Sequence, residues 1–339
     1  MNSWCLLLIV IFCSCTSNSK TEKYQKQRNK VINVRDQVKE IEIKDVLIGS
    51  IARLYLLKNY LIIGDYKTQD KLIHIFNKNN FNYLTSTAYL GQAPGEIANM
   101  GYIETDEAHD LFYVSDHGKQ KIFSYDLDSV LTTPLYMPKV KMEMNARSFP
   151  SKYQYINDTL CIGLIIKPTG NSGYKQSVAK WNMTTSEITP MKYEHPEIEK
   201  KRISFAASVK HGIYVECYSY HDLMTICSLN GDLKCNIYGP NWDNRTTNKV
   251  NYYGTVRFCG DKIFVLYSGE DTFYEDKNKG TRTKLPTKFL VFDINGNYLQ
   301  TLETGYQISD FCYDMDNHRI ILSLDDVIQF AYLDVDGFV

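Results

Sequence analysis

The 339-residue chain has almost no net charge, with 38 Lys and Arg against 39 Asp and Glu. It therefore lacks the basic footprint of a nucleic-acid-binding domain, and no nucleic acid is expected as a partner. Helical periodicity is scarce. Nine cysteines form no C-x-x-C pair and no Cys/His spacing suited to zinc. There is no H-E-x-x-H; His195-Pro196-Glu197 does not match it. The G-x-S-x-G elbow, the Walker loop and G-x-G-x-x-G are all missing. Asp293 to Asn297 has the acidic start of a calcium loop but no closing Glu. Neither a metal nor a cofactor is expected. The apolar run Trp4 to Phe12 is too short to span a bilayer.

What is present is β-forming material. The composition is 44% hydrophobic with 26 tyrosines, which leans towards strands. One hairpin pattern recurs: "IHIFNKNNFNYL" (73–84), "IFSYDLDSVL" (122–131), "AKWNMTTSEI" (179–188), "TICSLNGDLKC" (225–235), "FLVFDINGNYLQ" (289–300) and "QFAYLDVDGFV" (329–339). Asn230-Gly231 and Asn295-Gly296 supply the positive φ that tight hairpins need. An earlier strand pair precedes each copy, as in "MGYIETDEAHDLFYVSD" and "ISDFCYDMDNHRIILSLDD". Four strands per unit, repeating every ~40–65 residues, is propeller spacing. The expectation is an all-β, six-bladed β-propeller with no helical interruption. Its sixth blade stops at the turn into a fourth strand. The alternating segment Lys39 to Val46 is expected to complete that blade and close the ring. Cys161, Cys217, Cys227, Cys235, Cys259 and Cys312 read as core thiols. A Cys217–Cys227 or Cys227–Cys235 disulfide stays open if the compartment is oxidising.

The N-terminus reads separately. The apolar run is placed like a signal h-region and leads into Phe12-Cys13-Ser14-Cys15. This stretch resembles a bacterial lipobox, with Cys15 as the lipidated residue. Phe12 stands where such boxes usually carry Leu, and no Lys or Arg precedes the run. Residues 1–14 are then the signal peptide and residues 15–30 the lipidated Cys with a flexible tether. Residues 31–339 form a single propeller domain. With Gly91-Gln92-Ala93-Pro94-Gly95-Glu96, these features together resemble the TolB-like six-bladed propeller lipoproteins of Bacteroides-type bacteria, which often carry Gly-x-Gly-Pro-Gly-Glu there. Ala93 replaces the second Gly. The resemblance implies a membrane held through lipid on Cys15 and a place in the cell envelope. No acidic run follows Cys15, which favours the periplasmic face.

Function is expected on the face where interblade links and second-to-third-strand turns emerge. Links place Arg53, Glu96, Arg147, Arg202 and Tyr253 there; turns place Asp65, Asp116, His117, Tyr218 and His221. Arg53, Arg147 and Arg202 occupy similar places in three blades and are expected to converge on an acidic ligand at the channel mouth. The tyrosines would stack on a sugar or peptide. Asp65 and Asp116 also suit turn caps. The insertion Gly269 to Pro286 reads as a lid or a solvated loop. The reading is a non-catalytic binding or scaffold module for a protein partner or an acidic or carbohydrate ligand. The alternative is a carbohydrate- or lactone-directed hydrolase or lyase, whose paired carboxylates would come from Asp65, Glu96 and Asp116.

Overall fold

The computed structural model describes residues 21–170, 173–245, 247–276 and 280–338. The segment read as a signal peptide and Cys15 lie outside them. Six antiparallel sheets follow one another along the chain. Blade one holds Ala52–Leu57, Tyr60–Asp65, Lys71–Asn77 and Tyr83–Tyr89. The innermost strands of blades two to six are Met100–Asp106, Phe149–Tyr155, Ile203–Ser208, Val250–Cys259 and Ile308–Asp314. The fold is a six-bladed β-propeller. Its apolar side chains fall into six clusters, and each cluster spans one seam between neighbouring blades. Central strands such as Ile213–Tyr218 are buried on both faces, which explains their near-continuous apolar runs. All six domain cysteines are buried free thiols.

The ring closes as the repeats imply, with a shorter contact. Lys39 and Glu40 lie antiparallel to Tyr332 and Ala331, and Ile41 N–H donates to Phe330 at 2.9 Å. Residues 42–46 leave the sheet, because the partner strand is only Phe330–Asp334. The alternation there reflects packing instead: Ile41, Ile43 and Val46 fill the seam between blades six and one.

Two expectations fail. A helix does interrupt blade two, at Leu127–Thr132. Asp126 caps it by accepting from Ser129 N–H at 2.8 Å, and Leu127 and Val130 are buried at the seam with blade one. The fourth strand is displaced to Lys139–Glu143. The tether expected over residues 15–30 is also structured from residue 21 onwards. Glu22–Tyr24 adds a parallel fifth strand to blade four, and Val31–Asn33 does the same for blade five. Between them Arg28 is buried against Asp222 at 3.0 Å. The outer edges of these blades offer unpaired backbone groups, so a polar segment docks without an apolar face.

Candidate functional site

The bore of the ring is shaped by irregular inner strands. Those of blades two, three, five and six slip register at Met100/Ile103, Pro150/Lys152, Tyr253/Val256 and Ile308/Asp310, while blades one and four run regularly. Such bulges re-aim side chains. Five small residues line the upper bore, namely Gly101, Ser151, Ser204, Gly254 and Ser309, with Arg53 from blade one as the sixth contributor. Small side chains leave a cavity of about 490 Å³, a volume suited to a small-molecule ligand. Tyr55, Tyr66, Tyr102 and Tyr253 line its walls, and Leu285 and Pro286 from the blade-five insertion reach its rim.

Three basic side chains, Arg53, Lys152 and Arg257, share this cavity with one carboxylate, Asp310. Asp310 is buried. It accepts from Leu54 N–H at 3.0 Å and from Thr255 Oγ1 at 3.1 Å. The guanidiniums stand further off, at 3.8 Å for Arg53 and 3.9 Å for Arg257, beyond hydrogen-bond reach. Arg53 donates weakly to the Ser309 carbonyl at 3.4 Å. Among the described residues, the Arg257 guanidinium makes no hydrogen bond, and the Lys152 side chain makes neither a hydrogen bond nor an ion pair. Burial and the charge of Arg257 push the Lys152 ammonium well below the usual lysine range.

A smaller chamber of about 240 Å³ shares Tyr55, Tyr102 and Arg257 with the upper one and adds Glu104, Gln154 and Tyr313. Burial raises the Glu104 carboxyl to about 8, against the opposing pull of the Tyr155 N–H, Arg257 and Lys152. Glu104 is therefore mostly protonated at neutral pH, and the bore as a whole is cationic.

Of the ten candidate ligand residues, Arg53 and Tyr253 line this cavity and the other eight do not. Asp65 accepts from the N–H groups of Gly49, Lys67 and Thr68, and Asp116 from those of Ala98, Asn99, Gly118 and Lys119. Both clasp a turn to an incoming link. Glu96 turns back onto Ala93 N–H at 2.8 Å, and its carboxylate fills the space a Cβ at Gly91 would need. Gly95 has φ +79°, and Lys119 Nζ donates to the Ala93 and Glu96 carbonyls, so the hexapeptide is a turn tied to the Asp116 turn of blade two. The expected convergence of three arginines does not occur. Arg202 stacks on Tyr174 at 3.8 Å and donates to the carbonyls of Lys201 and Tyr174. Arg147 lies exposed in the turn after Asn145, whose side chain holds its backbone N–H. His117 packs its ring on Phe149 and against Gly101. Tyr218 is buried and donates to Glu216, and His221 meets the carbonyl of Asp243 at 3.0 Å.

Lys152, Arg257, Asp310 and Glu104 are the residues sequence reasoning missed. Each interrupts an apolar strand, and three follow closely on a small residue in "PSK", "YGTVR" and "ISD". That recurring small residue at the head of the inner strand is the available signal.

Comparison with known proteins agrees with this architecture. The model of the DUF5128 family, described as a 6-bladed beta-propeller, matches residues 41–164. A protein from Bacteroides fragilis described as exported superposes with a TM-score of 0.54 at 11% identity, covering 90% of this chain and 88% of its own. A DUF4221 family member from Bacteroides vulgatus gives 0.55 at 10% identity, over 88% and 98% of the two chains. Regucalcin from Agrobacterium tumefaciens, described as calcium-binding, gives 0.54 at 10% identity, over 90% and 95%. At such identities the likeness is one of fold. No curated protein matches the sequence.

Proposed function

We propose that this chain is an envelope-located, lipid-anchored propeller that binds a small acidic ligand, a carboxylate or an acidic sugar, in its central bore. One observation carries the reading: Arg257 lines a ligand-sized cavity with its guanidinium donors unmet among the described residues. The side chain is one-fifth exposed, so its donors face the cavity, and a ligand carboxylate would meet them through paired charged hydrogen bonds. Arg53 adds positive charge, Lys152 adds an amine, and the part-exposed Tyr66 and Tyr102 of the wall supply aromatic surface for a sugar ring.

Location rests on residues 1–15 read as an export signal ending at a lipidated Cys15, and on the fold relative described as exported. No helix of the described residues is long and apolar enough to cross a membrane. The calcium named for the Agrobacterium protein is not carried over. Among the described residues no group of three His, Cys, Asp or Glu side chains could hold a metal, and Asp310 already faces two guanidiniums. The hydrolase reading loses its candidates, since Asp65, Glu96 and Asp116 are each engaged by backbone N–H groups.

The test is a melting-temperature screen of small acids against neutral counterparts, such as galacturonate against galactose and lactate against glycerol. Acids should stabilise the protein and their counterparts should not. Equal effects, or none with any acid, would contradict the reading.

A further inference from the structure

A lysine that only supplied charge to an anion site would gain most by staying protonated. Lys152 is placed where that is hardest. It follows the bulge at Ser151 on the inner strand of blade three and lines the bore, half-buried, with Arg53 and Arg257 in the same cavity. No carboxylate pairs with it among the described residues. Asp310 is held by Leu54 N–H and Thr255 and stands nearer the two guanidiniums. The strand behind is fitted to this position. Gly163 has no room for a Cβ, which would strike the Lys152 carbonyl oxygen and Tyr153 Cα. Desolvation beside fixed positive charge is the environment that turns a lysine into a free amine, and hence a nucleophile. Both effects act on Lys152, burial first and Arg257 second.

We propose that Lys152 is a nucleophilic amine that condenses with the carbonyl carbon of a small acid bearing both a carbonyl and a carboxylate, the carboxylate lying against Arg53 and Arg257. This rests on the acid-binding reading above and narrows its ligand class. The amine nitrogen attacks the carbonyl carbon and forms the C–N bond. The C–O bond then breaks, and the oxygen leaves as water with the two amine protons. The product is an imine, formed reversibly, with no oxidant or reductant. The cavity opens to solvent through the rim, so water can enter and leave. Arginines supply orientation, since a guanidinium pairs with a carboxylate in a fixed plane.

The experiment uses pyruvate as probe, with cyanoborohydride to trap the imine, and peptide mass spectrometry to locate the adduct. Lactate, the same acid without the carbonyl, serves as control ligand. The expected result is a reduced pyruvate adduct on Lys152, about tenfold or more above surface lysines, because those are almost wholly protonated at neutral pH. It should be suppressed by excess lactate. Lys152→Arg should lose that adduct. Adducts spread over surface lysines without enrichment at Lys152 overturn the proposal. If lactate and pyruvate still raise the melting temperature in that case, the imine falls and the acid site stands. If neither does, both fall.

Discussion

At the rim Asp116 accepts from four backbone N–H groups, and Asp222 from Arg28, Tyr253, Tyr267 and Asn241 N–H. In the bore the Arg257 guanidinium faces Asp310 across 3.9 Å and hydrogen-bonds nothing among the described residues. Both regions bury charge. The rim satisfies it internally, and the bore leaves donors open. A charged group whose bonding capacity is filled from within is holding the fold together; one whose capacity is left open in a cavity is available to a ligand.

The sharpest way to break the comparison is at the rim. Asp222→Ala would leave Arg28 buried without its partner, together with two tyrosine hydroxyls. A loss of about 3–5 kcal/mol is expected in urea denaturation. Asp116→Ala frees four N–H groups at once and should cost about 2–3 kcal/mol by the same measurement. If either variant were as stable as the parent, the rim carboxylates would not be structural.

The bore gives a pH signature instead. Glu104 rises from 4.5 to about 8 on folding, so between those values the folded state holds a proton that the unfolded state releases. Its contribution is fully present below pH 4.5 and is lost as pH rises to about 8. Stability should fall across that window, and Glu104→Gln should flatten the slope. An unchanged slope in that variant would remove Glu104 from the account. The smallest effect is expected at Arg147→Ala, within about 0.5 kcal/mol, because its side chain is exposed. A large effect there would return function to the rim.

This division also explains what the sequence reveals. Blades are legible because strand period and turn chemistry repeat: Asn230-Gly231 and Asn295-Gly296 sit in hairpins with positive φ at both glycines. Closure by Lys39 and Glu40 is legible for the same reason. The Arg28 strap is not, since polarity without periodicity looks like a linker until its partner Asp222, far along the chain, is placed beside it. The bore is not legible either. Bulges at Ser151 and Ser309 break the two-residue period, so alternation does not report which way Lys152 or Asp310 faces. Rim residues such as Arg147 and Arg202 look functional because loops often are. Here Arg202 stacks on Tyr174, and Arg147 lies exposed in its turn.

The most direct measurement is a calorimetric titration of galacturonate into the parent protein, Arg257→Gln and Arg147→Ala. An acid site in the bore predicts saturable binding to the parent, weakened by about tenfold or more in Arg257→Gln through loss of a charge-assisted pair and unchanged in Arg147→Ala. Binding that survives intact in Arg257→Gln, or that weakens equally in Arg147→Ala, would contradict it.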